Sequence, residues 1–358
     1  MALTEEQQRL LAEADAIRQQ QEQEQREGQM SFFPNDPSYF DGTSTPVFGV
    51  VGHGFVGKAV ERALHPDLNR FIVDPIYKTN IDQLVEAKPI LTYVCTPTPI
   101  LGNGRIDAAD TVDAVLKLIR LTKSAVVLKS TVTPDVIAKI IRAVEGADAA
   151  SRFIYAPEFL TEKNADHEYS NPDYIVLGGM QQSVAMYMEF LANNTFIKLS
   201  KDASVQVVHP IEASFIKYAI NGFLAMKVTF MNQLVSAMKD EEENGVSPLQ
   251  VMKALADEPR LGSTHWRVPG PDGKKGFGGA CFPKDISALV NYTNKMTLLE
   301  EVLSINNDIR SEYDLDDREK VANVTFKADD VTIAPTLVEE DVLDTTGQID
   351  LFDDEDAA

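Results

Sequence analysis

The sequence predicts an α/β fold in which a mainly parallel sheet domain precedes an all-helical domain. Three patterns lead to this prediction. Short apolar runs alternate with helical patterns between residues 47 and 199, a glycine-rich turn separates the first run from the first helical pattern, and the strand signal stops after residue 203. This succession is typical of βαβ units, so the first domain is expected to be of the Rossmann type.

The strands of the first domain are predicted from short runs rich in β-branched and aromatic residues. These runs cover residues 47–51, 70–73, 90–95, 125–129, 153–155, 174–177 and 196–199. Apolar residues at helical spacing lie between them, at residues 56–64, 112–121, 134–144 and 183–191. The sequence shows no internal repeat that would indicate a solenoid.

The second domain is predicted to be helical throughout. Residues 207–238 form one apolar-rich segment that indicates a long helix, and further helical patterns cover residues 248–256, 283–295 and 298–309. A loop rich in proline and glycine interrupts them at residues 259–279. The predicted domains are a polar N-terminal appendage at 1–45, a Rossmann-type sheet domain at 46–204, a helical domain at 205–310 and an acidic, disordered tail at 311–358.

Composition and charge restrict the possible partners. The chain has 358 residues, of which 44% are hydrophobic and 25% are charged, as in ordinary globular proteins. The formal net charge is −22, and residues 311–358 contribute −13 of it because they hold 16 Asp and Glu against 3 Lys and Arg. A chain this acidic lacks a broad basic face, which argues against nucleic acid as a partner.

The cysteines and the hydropathy pattern indicate the compartment. Cys95 and Cys281 lie far apart in sequence, which argues against a disulfide framework. No stretch resembles a signal peptide, and no apolar run is long enough to span a membrane. We therefore expect a cytoplasmic protein without membrane contact, and no metal site is predicted.

A glycine-rich turn joins the first strand to the first helix. Its sequence, Gly-His-Gly-Phe-Val-Gly at residues 52–57, is a dinucleotide-binding fingerprint in this strand-turn-helix context. The glycines allow a tight turn and a close approach of the backbone to a pyrophosphate, which the helix N-terminus stabilises. The predicted cofactor contacts in this turn are Gly52, Gly54, Phe55, Val56 and Gly57.

Asp74 decides between the two nicotinamide dinucleotides. It ends the second predicted strand, 22 residues after Gly52, where its carboxylate can accept hydrogen bonds from ribose hydroxyls. An extra phosphate on that ribose would be repelled, so NAD is predicted rather than NADP. Thr96 and Pro97 follow a later strand and are expected to line the same crevice, whereas Cys95 is interpreted as a buried strand residue.

A single thiol lies at the start of a predicted helix. Cys281 follows the turn Gly-Phe-Gly-Gly-Ala at residues 276–280, and Pro283 suits the first turn of the next helix. The unpaired N–H groups of that turn, with Lys284 nearby, are expected to favour the reactive thiolate. The alternative for a free cysteine is a small buried hydrophobe, and the surrounding glycines favour the nucleophile.

Other polar side chains could complete a thiol site. Lys217 and Asn221 are four residues apart in the predicted long helix, so they share one face and could jointly hold a developing oxyanion. The residues around this lysine are mostly apolar, and a lysine in such a helix needs a partner. Glu158, within Ala-Pro-Glu-Phe-Leu-Thr-Glu at residues 156–162, adds a carboxylate to the set.

Taken in order, these stretches resemble the UDP-glucose/GDP-mannose dehydrogenase family, and within it the UDP-glucose branch. The resemblance extends from Val47 to about Arg310. Its motifs are the fingerprint at 52–57, Val-Cys-Thr-Pro at 94–97, Lys-Ser-Thr-Val at 129–132, Pro-Glu-Phe-Leu at 157–160, Lys217 with Asn221, Arg-Leu-Gly at 260–262, and Cys-Phe-Pro-Lys-Asp at 281–285. Several ordered motifs are far more specific than any one of them.

The resemblance implies a four-electron oxidation of a nucleotide sugar, UDP-glucose to UDP-glucuronate, with two NAD molecules as hydride acceptors. Cys281 would capture the intermediate aldehyde as a thiohemiacetal, and the thioester formed next would be hydrolysed. Lys217 and Asn221 would stabilise the oxyanions. Asp285 and Thr131 would hold a water molecule or polarise the alcohol.

The same resemblance implies further roles. Glu158 would be the general base, with Glu162 as a second candidate. Thr131 and Lys284 would also lie beside the cofactor. The implied substrate-binding residues are Glu158, Phe159, Leu160, Glu162, Lys217, Asn221, Arg260, Phe277 and Gly278. Arg260 occupies a position from which an arginine reaches the sugar, in some members from the adjoining subunit of a dimer built on the long helix, so a homodimer is expected.

Three departures from the family pattern affect these expectations. About twenty residues separate Asp74 from Val94, so an element of the cofactor domain is expected to be shortened or missing. Residues beyond 310 show no βαβ pattern, although the family's usual C-terminal domain helps to bind the substrate nucleotide. A partner chain, a dimer neighbour or the tail could replace it. Tyr174 stands where arginine is common, and Lys163-Asn164 replaces a usual glycine context.

Two other functions compete with nucleotide-sugar oxidation. A two-electron NAD-dependent hydroxyacid dehydrogenase shares the sheet domain, the helical domain and a Lys-x-x-x-Asn motif, but it needs no thiol, so Cys281 separates the two. A non-catalytic nucleotide-binding or assembly protein would fit the extended termini. The intact set of catalytic residue types argues against that reading.

Overall fold

A seven-stranded sheet forms the first part of the computed structural model, which describes residue 33 and residues 46–144 and 150–326. The strands are β1 (Val47–Val51), β2 (Asn69–Val73), β3 (Leu91–Val94), β4 (Ala125–Leu128), β5 (Phe153–Tyr155), β6 (Tyr174–Gly179) and β7 (Ser204–Val208). Their order across the sheet is β2-β1-β3-β4-β5-β6-β7. Neighbours are parallel except β5 and β6, which are antiparallel, so the predicted mainly parallel sheet is confirmed.

Helices cover the sheet on both faces. They are α1 (Phe55–Ala63), α2 (Ile81–Glu86), α3 (Ala109–Leu121), α4 (Pro134–Val144), α5 (Ala165–Ser170) and α6 (Gln181–Asn194). The central strands β3 and β4 are buried along their whole length, as parallel strands between two helical layers should be. Val50 and Val51 belong to two different apolar clusters, because successive side chains of a strand point to opposite faces.

The second part is helical, as predicted. Its helices are α7 (Pro210–Met238), α8 (Pro248–Ala256), α9 (Phe282–Tyr292) and α10 (Thr297–Arg310). The 29 residues of α7 correspond to a length of about 43 Å at 1.5 Å per residue. Within the part of the chain that the structure describes, no helix combines the length and the apolar character needed to cross a membrane.

The junction between the two parts differs from the prediction. Residues 196–199 do not form a strand, because Phe196 N–H donates to the Ala63 carbonyl and Lys198 N–H donates to the Ser170 carbonyl, each at 2.7 Å. The last strand is instead β7, and α7 begins at Pro210 rather than at residue 207. The sheet therefore continues to Val208, beyond the predicted domain boundary at residue 204.

Two further segments can be compared with the prediction, the stretch between Asp74 and β3 and the residues after 310. Between Asp74 and β3 the chain forms a 3-10 turn at Pro75–Tyr77 and the six-residue α2, so the element expected to be shortened is a short helix. Residues 311–326 were assigned to the tail, but they include α11 (Asp317–Val321). The predictions for 1–45 and 327–358 lie outside the described residues, except for Phe33, which packs against Phe190.

Candidate active site

The turn between β1 and α1 has the shape that its glycines require. Gly52 has φ +85°, and its N–H donates to the Val73 carbonyl at 2.8 Å. A Cβ atom on Gly57 would lie 2.1 Å from the Gly52 carbonyl oxygen, so the helix can pack on the turn only without a side chain there. A Cβ on Gly54 would meet open space, which leaves the N-terminus of α1 accessible to a pyrophosphate.

The other predicted cofactor residues lie at the same edge of the sheet. Phe55 and Val56 begin α1 and are half-buried. Thr96 and the exposed Pro97 follow β3, and the Thr96 hydroxyl shares a hydrogen bond of 2.7 Å with the Thr111 hydroxyl. Because β1 and β3 are parallel neighbours, these segments meet at their carboxyl ends, where nucleotides bind in such sheets.

Asp74 is oriented by backbone hydrogen bonds. Its Oδ2 accepts the His53 N–H at 2.7 Å, and its Oδ1 accepts the Ile76 N–H at 3.0 Å. Partial burial opposes ionisation, but these two hydrogen bonds outweigh it and hold the Asp74 pKa below its usual range. A carboxylate has about four acceptor positions, so capacity remains for ribose hydroxyls. The turn and this carboxylate together fit the adenosine diphosphate half of NAD.

A second group of side chains surrounds the thiol. Cys281 precedes α9 and is half-buried. Lys217 on α7 and Glu158 after β5 have side chains only 4% and 7% exposed, and Lys217 Nζ lies 3.7 Å from Glu158 Oε1. Glu158 Oε2 accepts the Leu160 N–H at 2.7 Å, so both oxygens of this carboxylate have a partner.

Asp285 connects α7 to α9. It is 1% exposed, and its Oδ2 accepts a hydrogen bond from Asn221 Nδ2 at 2.6 Å. Its Oδ1 accepts from Lys284 Nζ. Asn221 keeps a second N–H for another acceptor. Lys284, predicted as a cofactor contact, is therefore engaged with the carboxylate next to it.

The ionisation of Cys281 differs from the prediction. Burial, with the negative charges of Asp285 and Glu158, raises the Cys281 pKa to about 11, although Lys217 and Lys284 act in the opposite direction. The helix N-terminus and Lys284 therefore do not lower the thiol pKa as expected, because burial and the two carboxylates outweigh them. At neutral pH the thiol is protonated.

Lys217 keeps its proton in the same surroundings. Burial disfavours its ammonium form, but Glu158, Asp285 and Cys281 outweigh burial, so the Lys217 pKa is raised. The Lys217 Nζ also lies 5.2 Å from the centre of the Phe159 ring. A buried ammonium whose pKa is raised therefore lies near a thiol whose pKa is also raised.

The remaining predicted residues lie after β4, after β5 and in the turn before Cys281. Thr131 follows β4, and its carbonyl accepts the Thr98 hydroxyl at 3.0 Å, so it lies on the cofactor side. Phe159 packs edge-on against Tyr174, and Leu160 is half-buried beside it. Phe277 is buried in the turn before Cys281, next to the half-buried Gly278.

Arg260, one of the predicted substrate residues, is not brought to the thiol of its own chain. Arg260 has a side chain 86% exposed and pairs with Glu258 at 2.8 Å, so it points into solvent. Lys227 on α7 holds the same turn by donating to the carbonyls of Leu261 and Gly262, at 2.9 and 3.2 Å. Glu162 begins the 3-10 turn Glu162–Asn164, and its side chain lies outside the described part of the structure.

Sequence reasoning assigned no role to two buried groups near the pocket. Lys129, at the end of β4, is buried with Nζ 5.5 Å from the Tyr169 ring centre, and burial lowers its pKa to about 8 despite the nearby Cys95 and Glu158. The Tyr155 hydroxyl accepts the Val132 N–H at 3.5 Å, and burial with the Asp285 charge raises the Tyr155 pKa. The sequence signal that could have identified Lys129 is a lysine at the end of an otherwise apolar strand.

Comparison with known proteins identifies the family. Two sequence models of the UDP-glucose/GDP-mannose dehydrogenase family match: the NAD binding domain over residues 75–195 and the central domain over residues 211–308. The chain belongs to this family. It uses NAD, and its family and relatives mark it as a nucleotide-sugar dehydrogenase.

Two of the most similar curated relatives are UDP-glucose 6-dehydrogenases. The protein of Rickettsia bellii is 28% identical over 343 residues, which cover 85% of this chain and 76% of that relative. The protein of Haloferax volcanii is 28% identical over 332 residues, covering 81% and 74%.

Solved structures with the same fold include two different dehydrogenases. A UDP-glucose dehydrogenase from Pyrobaculum islandicum has a TM-score of 0.54 and 25% identity, covering 75% of this chain and 69% of its own. A 3-hydroxyisobutyrate dehydrogenase from Mycobacterium tuberculosis has a TM-score of 0.54 and 16% identity, covering 80% of this chain and 98% of its own. The second likeness concerns the fold alone.

Proposed function

We propose that the protein oxidises UDP-glucose to UDP-glucuronate in two successive two-electron steps, with the sugar held covalently on Cys281 between them. The observation that carries the proposal is the placement of Cys281 among Lys217, Asp285 and Glu158, whose charges all act on its thiol. A two-electron alcohol oxidation has no use for such a thiol. The UDP-glucose 6-dehydrogenase relatives support the choice of sugar.

The first step needs a route for the proton of the C6 hydroxyl. NAD, when bound at the turn after β1, supplies the acceptor for the hydride that leaves C6 in each oxidation. Asp285 is buried and bonded to Asn221 and Lys284, so it can hold a water molecule that removes the hydroxyl proton. The product of this step is the aldehyde.

The thiol then adds to the aldehyde. The bond between Cys281 Sγ and C6 forms, the C=O π bond breaks, and the thiol proton moves to the oxygen, so the thiohemiacetal forms without net proton release. The Lys217 ammonium and the second N–H of Asn221 stabilise the developing oxyanion. Burial and the nearby carboxylates raise the Cys281 pKa to about 11, which favours a proton transfer that accompanies carbon–sulfur bond formation.

The second oxidation and hydrolysis complete the reaction. A second hydride leaves C6 and the water held by Asp285 takes the hydroxyl proton, so the thiohemiacetal becomes a thioester. Water adds to the thioester, the carbon–sulfur bond breaks, and Cys281 recovers its proton as the carboxylate leaves. Glu158 is the general base for this water, and its bonds to Lys217 and the Leu160 N–H fix its orientation.

The test is the number of NADH molecules formed per UDP-glucose consumed. We expect two for the purified protein, and a stalled or abolished second oxidation in Cys281→Ser. Cys95→Ser is the matched control, since that thiol lies in the sheet domain, and it should keep the ratio of two. One NADH per sugar, unaffected by Cys281→Ser, would refute the thioester route.

A two-electron hydroxyacid dehydrogenase is the second candidate. The placement of Lys217 and Asn221 four residues apart in α7, as in the Lys-x-x-x-Asn pattern of such enzymes, favours it. Such an enzyme would release one NADH per small hydroxyacid and would tolerate Cys281→Ser. If NAD binds but no nucleotide sugar or hydroxyacid is oxidised, the protein is a nucleotide-binding component or needs a partner chain.

We also propose that the protein is a homodimer formed along α7. Phe215, Phe223 and Phe230 on this helix are 45%, 61% and 53% exposed, and the last two are seven residues apart on one face. Arg260 is exposed and paired with Glu258, so a second copy is the means by which it would reach a sugar. Sedimentation should give a dimer, and Phe223→Asp with Phe230→Asp should give monomers; a monomeric wild type would refute the proposal.

A further inference from the structure

We propose that Glu319, paired with Arg310, is a positioning residue for Cys281, because the pair fixes the glycine turn that leads to the thiol. The segment that carries Glu319 was predicted to be tail. The inference rests on the proposed function, in which Cys281 is the nucleophile.

The turn before Cys281 has little regular structure to hold it. Gly276 and Gly279 have φ +71° and +77°, conformations that other residues adopt only with strain. Phe277 between them is held by Asn306 on α10, which accepts its N–H at 2.7 Å and donates to its carbonyl at 2.9 Å. The part closest to the thiol therefore needs a separate support.

Glu319 supplies that support. Its side chain is 0% exposed, and Oε1 accepts the Gly279 N–H at 3.0 Å, two residues before Cys281. The same oxygen accepts from Arg310 Nη2 at 2.7 Å. Its Oε2 accepts the Asp316 N–H at 2.8 Å, which ties the carboxylate to the start of α11.

Arg310 holds the Glu319 carboxylate in place. Its side chain is 1% exposed, and Nη1 donates to Asp272 Oδ2 at 2.8 Å, so this guanidinium joins two carboxylates. Burial opposes the ionisation of Asp272, but the bond from Arg310 outweighs it, and the Asp272 pKa is lowered. The Arg310 guanidinium thus lies between two carboxylates, and its contact with Glu319 is shielded from water.

The glycine at position 278 shows how closely the turn lies on this pair. A Cβ atom on Gly278 would lie 2.1 Å from Arg310 Nη2 and 2.4 Å from Glu319 Oε1. The backbone of the turn therefore rests directly on the two charged groups. A shift of either group must move the turn.

The same segment also contacts the sheet domain. Ala322, Val324 and Phe326 form an apolar cluster with Ile100 and Ala280, and the Ile100 N–H donates to the Ala322 carbonyl at 3.0 Å. Glu319 is thereby fixed relative to both the sheet and the residue before Cys281. Lys217 and Glu158 stand on other elements, so a displaced turn changes their distance to the thiol, and a misplacement of about 1 Å can cost about 100-fold in rate.

The test is Glu319→Gln, which keeps the shape of the side chain and removes its charge. We expect kcat for UDP-glucuronate formation to fall about 10- to 100-fold while KM for NAD stays within about twofold. The alkylation rate of Cys281 by iodoacetamide at pH 8 should change at least about fivefold, measured against Cys281→Ser as background. Lys320→Ala, an exposed site on the same short helix, should leave both quantities within about twofold.

Two outcomes would overturn the inference. One is a Glu319→Gln protein with a lowered melting temperature but wild-type kcat and alkylation, since a purely structural role predicts that. The other applies if Glu319→Gln fails to fold: Arg310→Lys keeps the positive charge but loses the fork geometry, and wild-type kcat and alkylation in that variant would refute the role.

The two proposals fail in different ways. If the wild type oxidises no UDP-glucose, the proposed function is refuted. The alkylation rate still measures whether Glu319 controls the thiol, because it requires neither cofactor nor substrate.

Discussion

The cofactor edge and the thiol pocket are held together by different kinds of interaction. The cofactor edge comprises the turn at residues 52–57 and Asp74, and its polar contacts are mostly backbone hydrogen bonds within a short stretch of chain. The thiol pocket joins Glu158, Lys217 and Cys281 from three separate elements, and its groups are buried charges that act on one another. Local geometry governs the first region, and long-range packing governs the second.

This difference determines what a substitution should do in each region. At the cofactor edge a lost carboxylate should weaken NAD binding without changing the chemistry. In the thiol pocket a lost charge should change both the rate and the stability, because it leaves its buried partner without compensation.

The largest effect is expected for Lys217→Met. Without the ammonium, the oxyanion loses its cation and kcat should fall about 1,000-fold. Glu158 would also be left buried without its counter-charge, which should lower the free energy of unfolding by about 3 kcal/mol. Steady-state kinetics and denaturant unfolding measure the two effects.

Lys253→Met provides the matched control for that variant, since Lys253 is exposed on α8 and should change neither quantity. A Lys217→Met protein with wild-type kcat would place the stabilisation of the oxyanion elsewhere.

The next effect concerns pH. Because the Cys281 pKa is raised to about 11, its iodoacetamide alkylation should increase about 100-fold from pH 7 to pH 9, with no plateau in that range. The sign follows from the thiolate being the reactive form, whose fraction grows tenfold per pH unit below the pKa. Cys95, with its pKa raised to about 12, should react more slowly. A plateau near pH 8 would mean that the helix N-terminus and Lys284 dominate after all.

The smallest effect is expected for Asp74→Asn. The amide cannot accept from His53, Ile76 and two ribose hydroxyls as the carboxylate can, so KM for NAD should rise about 10-fold with kcat within about twofold. Alkylation of Cys281 should be unchanged. Asp67→Asn, at an exposed position before β2, is the control and should have no effect. A fall in kcat for Asp74→Asn would show that the two regions are coupled.

Sequence reasoning succeeded where the determinants are local. The fingerprint turn depends on Gly52 and Gly57, whose constraints are set by the strand before them and the helix after them. The long helix was found from its apolar pattern, and its true start is marked by His209 as the N-cap and Pro210 in the first turn. Strand β7 was missed because it is an edge strand with exposed residues, so its pattern blended into the helix that follows.

The sequence did not predict the properties that depend on residues far apart in the chain. The thiol pKa was predicted from a local rule about helix N-termini, but Glu158, more than a hundred residues away in sequence, and burial reverse its direction. The support from Glu319 was invisible for the same reason, since nothing near Cys281 in sequence indicates which carboxylate will bond to Gly279. The pairing of Asn221 with Asp285 likewise depends on how α7 and α9 pack.

The junction between β7 and α7 has a mechanical consequence. His209 alone separates the strand from the helix, and its N–H and ring are both engaged with the first turn of α7, through Glu212 and Ile211. A Cβ on Gly178 would lie 2.5 Å from Pro210 Cα, so the helix start also presses on the neighbouring strand. Helix α7, which carries Lys217, is therefore fixed at its N-terminus. Rotating it away from the sheet would break either the strand pairing of β7 or the hydrogen bonds of the helix cap. Opening of the structure by a swing of α7 about this joint is therefore disfavoured.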